Sequence, residues 1–125
     1  MEKYSEKYVA VLGASNNPDR YSNMAVRLLI KKGYTVIPVH PRLKEVEGLT
    51  VINELSSIQQ SIHTLSLYAG PVVLKNLVDD IIKLKPGRVI FNPGTQYTEL
   101  EKKLDHSKIP WISACTLVML NNGIF

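Results

Sequence analysis

The stretch Tyr8-Val-Ala-Val-Leu-Gly-Ala-Ser-Asn-Asn-Pro18 decides how the rest of the chain is read. Five apolar or aromatic residues run into a glycine, two small residues and two asparagines, and a helical pattern begins near Ser22. An unbroken apolar run of this length suits a strand covered on both faces. The corner that follows would gather unpaired backbone N–H groups and the positive end of a helix dipole, a combination suited to phosphate. Gly13 would leave the backbone open to close approach by a ligand, so Gly13→Val is expected to block binding and spare the fold. Ser15 and Asn16 either donate to the phosphate or cap the turn. Ser22 reads as the N-cap of the first helix.

Outward from this corner, apolar runs alternate with amphipathic stretches. The strand candidates are Tyr8–Leu12, Thr35–Val39, Thr64–Tyr68, Arg88–Phe91 and Ile109–Ile112. Met24, Ala25, Leu28 and Leu29 form the apolar stripe of a first helix, closed by Lys31-Lys32 and a Gly33 cap. Leu74, Leu77, Val78, Ile81 and Ile82 repeat at helical spacing up to Pro86-Gly87, and Tyr97, Leu100 and Leu104 mark a further helix. A short helical turn near Glu54–Ile58 follows a loop over Pro41–Thr50. This β-α-β alternation predicts a single Rossmann-like α/β domain over residues 1–125: an open, doubly wound, parallel five-stranded sheet between two helical layers. The expected strand order is 3-2-1-4-5, with the ligand crevice at the carboxyl edge beside strand 1.

Composition bounds the function classes. The 125 residues are 45% hydrophobic and 21% charged, which is globular composition and not that of a disordered chain. No apolar run approaches the about 18 residues of a membrane helix. The opening Met1–Lys7 is polar, so no secretory leader is read there. Cys115 is the single cysteine, which excludes a disulfide framework and fits a cytoplasmic setting. A net charge of +4 is spread along the chain. With no basic block and no interleaved aromatics, it points to anionic small molecules and not to nucleic acid.

Proline, glycine and small polar residues collect after the strands: Gly13 to Asn17, His40-Pro41-Arg42, Gly70-Pro71 and Asn92-Pro93-Gly94. A dinucleotide fingerprint would carry three spaced glycines and a carboxylate about 20 residues on. Here Ser15 and Pro18 stand where the later glycines would be, and strand 2 ends in His40 and Arg42. A cation at that place suits a phosphorylated ribose, which NADP and the 3′-phosphate of coenzyme A both carry.

Two motifs taken together carry a family resemblance. Val11-Leu-Gly-Ala-Ser-Asn-Asn-Pro18 and Gly33-Tyr-Thr-Val-Ile-Pro-Val-His-Pro41, followed by Gly48, resemble the small single-domain CoA-binding proteins. These in turn are similar to the CoA-binding domain of the succinyl-coenzyme A synthetase alpha subunit. The likeness extends from about Lys7 to Leu120. It implies that Gly13, Ala14, Ser15, Asn16 and Asn17 hold the diphosphate of coenzyme A or an acyl-CoA. It further implies that His40, Pro41 and Arg42 border the adenosine, and that Gly70, Pro71, Asn92, Pro93 and Gly94 close the crevice. Cys115 falls near a cysteine that members often carry after the last strand. The chain departs from the family at His40, where Asn is common, and at Ala69-Gly70, where basic residues are common. It departs again at Asn92-Pro93-Gly94, where a Gln-x-Gly loop is usual.

The reading that follows is non-catalytic binding of coenzyme A. The synthetase reaction needs a second domain with a phosphorylated histidine and an ATP-grasp partner, for which 125 residues have no room. His63 precedes a strand and His106 lies late in a surface helix pattern, neither His/Cys spacing nor paired carboxylates suggest a metal, and Cys115 reads as a small buried hydrophobe. The alternatives are an NADP-binding, oxidoreductase-like or redox-sensing domain, and a scaffold whose nucleotide corner is vestigial. The apolar Thr116–Leu120 is core or a contact between copies of the chain.

Overall fold

The computed structural model describes residues 7–125, so all but Lys7 of the polar opening Met1–Lys7 lies outside the described residues. The elements run β1 (Tyr8–Leu12), α1 (Tyr21–Lys31), β2 (Thr35–Val39), two short strands β3 (Glu45–Val46) and β4 (Leu49–Thr50), and a 3-10 turn at Leu55–Ser57. They continue with β5 (Ile62–Leu67), α2 (Pro71–Leu74), α3 (Val78–Leu84), β6 (Val89–Phe91), α4 (Thr98–His106), β7 (Trp111–Ser113) and α5 (Thr116–Asn121). Five strands form one sheet in the order β2-β1-β5-β6-β7, every pair parallel.

Strand β1 shows why the sheet needs two helical layers. Its residues alternate between two cores. Val9 and Val11 pack with Val26 and Leu29 of α1 and Leu120 of α5, whereas Ala10 and Leu12 pack with Leu74, Ile81, Leu100 and Leu104 of the other helices. With Val9, Ala10 and Val11 at 0% exposure, β1 is the buried axis of a Rossmann-like α/β fold.

The strand order corrects the expected 3-2-1-4-5. The third long strand, β5, pairs with β1 and leaves β2 at the edge, giving 2-1-3-4-5 over the long strands. Pro38 supplies the reason. Its carbonyl faces the outer side of β2, where it accepts from Ile52 N at 2.9 Å. Its missing N–H faces the same way, so a full strand could not pair there. The outer edge carries a single parallel bridge, Val39 to Ile52. The reversal of strand order still lies beside β1, now between β1 and β5.

Four local expectations change as well. Helix α1 starts one residue before Ser22, with Arg20 at the cap position, and Ser22 is buried inside the first turn. The turn before it is closed by Asn17, whose carbonyl accepts from Arg20 N and whose Oδ1 accepts from Asp19 N, both at 3.0 Å. The stripe from Leu74 to Ile82 belongs to two helices, because Asn76 and Leu77 bond back three residues, to Val73 and Leu74, and tighten the chain between them. The loop Pro41–Thr50 contains the β3–β4 hairpin, turned by Glu47 at φ 50° and Gly48 at φ 78°. At the last strand, Ile109 is tied to the end of α4 through Leu104 O, so β7 begins at Trp111.

Candidate functional site

Gly13 leaves β1 at φ +91°, and a Cβ placed on it would lie 3.0 Å from the carbonyl carbon of Tyr68 at the end of β5. The glycine is therefore needed by the fold itself. This replaces the expectation that Gly13→Val would leave the structure intact. The Gly13 and Ala14 N–H groups both donate to Val39 O, at 3.0 and 3.2 Å, and so lock β1 to β2. The donors left over lie further along. Among the described residues, the N–H groups of Ser15, Asn16, Tyr21 and Ser22 have no protein partner. The last two belong to the first turn of α1, where the helix dipole is positive.

These donors open onto a polar cavity of about 440 Å³ that Gly13, Ala14, Ser15, Asn16 and His40 line. Arg20, Tyr21 and Tyr68, which sequence reasoning missed, line it too, and no acidic residue does. On the other side of Gly13 lies a second cavity of about 490 Å³, bounded by Pro41 and by apolar groups of Leu12, Leu55, Ala69, Val73 and Leu77. Gly13 and the turn at His40-Pro41 separate a polar from an apolar recess.

The loop is buttressed from behind. The buried Asn23 donates to Ser15 O at 2.9 Å and to Glu47 Oε2 at 3.0 Å, and it accepts from Arg27 Nε at 2.8 Å. Arg27 Nη2 holds Pro18 O at 2.8 Å. At the end of β2, His40 Nδ1 accepts from the N–H groups of Arg42 and Leu43, both at 3.1 Å. Burial, and then the neighbouring Arg42, hold the His40 pKa below the usual histidine value. Tyr68 presents a hydroxyl that is buried without a hydrogen-bond partner. Burial, and then Cys115 beside it, push its pKa up to about 12 against a smaller opposing pull from Thr116 and Ser66.

The remaining sequence candidates lie elsewhere. Asn17 is exposed and spends its Oδ1 on the turn. Arg42 is exposed and lines neither cavity. Gly70 caps α2, Pro71 is its first residue, and Gly94 O approaches within 3.8 Å of a Cβ placed on Gly70. These two loops therefore touch each other beyond the cavities. Pro93 is exposed, and Gly94 N donates to Gln96 Oε1. Asn92 is 1% exposed, and its amide is fully used: Nδ2 donates to Ser66 Oγ and Leu67 O, and Oδ1 accepts from Thr116 N. Among the described residues, no three His, Cys, Asp or Glu side chains group as metal ligands, and no helix is long and apolar enough to cross a membrane.

Comparison with known proteins agrees with this architecture. The family described as "CoA binding domain" matches residues 7–121, and the chain belongs to it. A crystal structure of an uncharacterized protein superposes with a TM-score of 0.90 at 40% identity, over 96% of this chain and 98% of that one. The structure of cell-free ID.343 from Thermus thermophilus superposes with a TM-score of 0.88 at 30% identity, over 96% and 91% of the two chains. The uncharacterized protein YneT of Bacillus subtilis (strain 168) is 29% identical over 77 residues, 62% of this chain. The match spans 57% of that relative's length.

Proposed function

We propose that this member of the CoA-binding domain family binds coenzyme A, free or acylated, at the carboxyl edge of the sheet and performs no chemistry on it. The observation that carries the reading is the pair of recesses that meet at Gly13, one polar and free of acids, the other apolar. Coenzyme A has the same division: an anionic diphosphate, and a flat base and a flexible arm with much apolar surface. In this reading the diphosphate takes the free N–H groups of Ser15, Asn16 and the α1 N-terminus, with Arg20 as counter-charge. The apolar part of the ligand lies past Pro41, against Leu55, Ala69 and Val73. The turn of Asn17 and the loops at Gly70-Pro71 and Asn92–Gly94 support the crevice from its rim. The side chains lining the polar cavity are suited to holding an anion, and none is a carboxylate or a paired nucleophile and base.

Titration calorimetry with coenzyme A, acetyl-CoA and NADPH tests the proposal. Saturable binding of the first two at micromolar to low millimolar ligand, without turnover of the thioester, is the expected result. Preference for NADPH, or no heat with any of the three, would overturn it.

A further inference from the structure

The hydrogen bonds of His40 fix the state of its imidazole. Both groups that reach Nδ1, the main-chain N–H of Arg42 and of Leu43, are donors, so Nδ1 has to be the bare, accepting nitrogen. In the neutral ring the proton then sits on Nε2. The surrounding main chain is pinned. His40 N donates to Ile52 O at 3.1 Å, and Asn53 Nδ2 spans the turn to His40 O at 2.8 Å and Leu43 O at 3.0 Å. Among the described residues, Nε2 has no protein partner, and the residue lines the polar cavity.

From these contacts we infer that His40 is a neutral, tautomer-locked hydrogen-bond donor, presenting Nε2–H to a phosphate oxygen of the bound ligand. The inference rests on the coenzyme A reading above and adds a specificity-determining residue to it. Nδ1 serves as the acceptor for the turn, and the imidazole adds a donor on its far edge. The charges nearby favour the neutral ring. Arg42 lies on the same turn, and Arg20 shares the cavity from the start of α1. Tyr21 and Tyr68 line it as well, and Glu54 and Asp80 line the other recess, beyond Pro41. A second proton could enter only at Nδ1, against two N–H donors that are already there.

The test combines nitrogen-15 NMR of histidine-labelled protein, with and without coenzyme A, and calorimetry of the wild type and His40→Asn. The asparagine keeps an acceptor for the turn and removes the Nε2 donor. The expected result is an Nε2–H tautomer in free and bound protein, with coenzyme A binding about tenfold or more weaker in the variant. An Nδ1–H tautomer, or an imidazolium in the complex, would overturn the inference whether or not the variant folds. Equal affinity of wild type and variant would overturn it too, leaving coenzyme A binding in place. No binding by the wild type would instead remove the functional reading and this inference together.

Discussion

Asn23, wholly buried in α1, donates from Nδ2 to the carbonyl of Ser15 at 2.9 Å. The same nitrogen reaches Glu47 at the tip of the β3–β4 hairpin, so one side chain ties the loop after β1, the first helix and the hairpin together. Asn23→Ala is expected to destabilise the protein by about 2–3 kcal/mol, since it removes several bonds, one of them to a carboxylate. Urea denaturation measures this, and an unchanged midpoint would show that the tie carries no energy.

Gly13→Ala places a Cβ at φ +91° and 3.0 Å from the Tyr68 carbonyl carbon. The expected cost is about 2–4 kcal/mol from backbone strain and overpacking. A thermal scan checks it. A variant as stable as the wild type would mean that the loop can relax away from β5.

Arg20 lines the polar cavity and Arg42 does not. Arg20→Ala is expected to weaken coenzyme A binding about tenfold and to reduce its salt dependence, as loss of a charged contact does. Arg42→Ala should change affinity far less. Calorimetry at two salt concentrations ranks them, and the reverse ranking would move the counter-charge to the end of β2.

His40 and His63 both have pKa values lowered in the fold, in each case by burial first. Arg42 then adds to the effect at His40, and Arg88 and Lys7 at His63. The unfolded chain therefore takes up protons before the folded one does. The stabilisation is fully present above the ordinary histidine value near 6.5 and is lost as the pH falls through the lowered folded values. Melting temperatures across about pH 5 to 8 should rise with pH. The slope should be shallower in His63→Gln; a slope unchanged in that variant would remove His63 from the account.

Asn92→Ala breaks three buried hydrogen bonds linking β5, β6 and the start of α5. A loss of about 2–4 kcal/mol is expected, because Thr116 N and Ser66 Oγ lose a partner in the interior. Coenzyme A affinity of the folded fraction should stay within about threefold, well under the cost of losing a direct bond to an anion. A large drop in affinity at unchanged stability would give the amide a ligand contact after all.

The loop after β1 was legible because its signal is local: an apolar run, then Gly13, then small polar residues. Arg20 was overlooked although it directly precedes the helix, where a cation would face any anion at the N-terminus. Pro38 also stood in plain view within strand 2 and marked it as an edge. The hairpin at Glu47-Gly48 gave a weaker signal, because glutamate is an unusual residue at positive φ. Asn92 looked like its polar neighbours along the edge, and only the packing of β5 against α5 shows its amide turned to internal use.

The sequence alone determined the alternation of strands and helices, the parallel sheet and the corner at Gly13, because apolar period and turn chemistry are written in neighbouring residues. It also carried the family motifs. The tertiary structure decided which strand lies beside which, since pairing depends on edges and crossovers between segments far apart in the chain. It also decided which N–H groups remain free, because Val39 O claims those of Gly13 and Ala14 and leaves those of Ser15, Asn16 and the start of α1. The accepting role of His40 Nδ1 is likewise tertiary, set by two main-chain donors that reach it only once the turn at Arg42-Leu43 is held in place by Asn53.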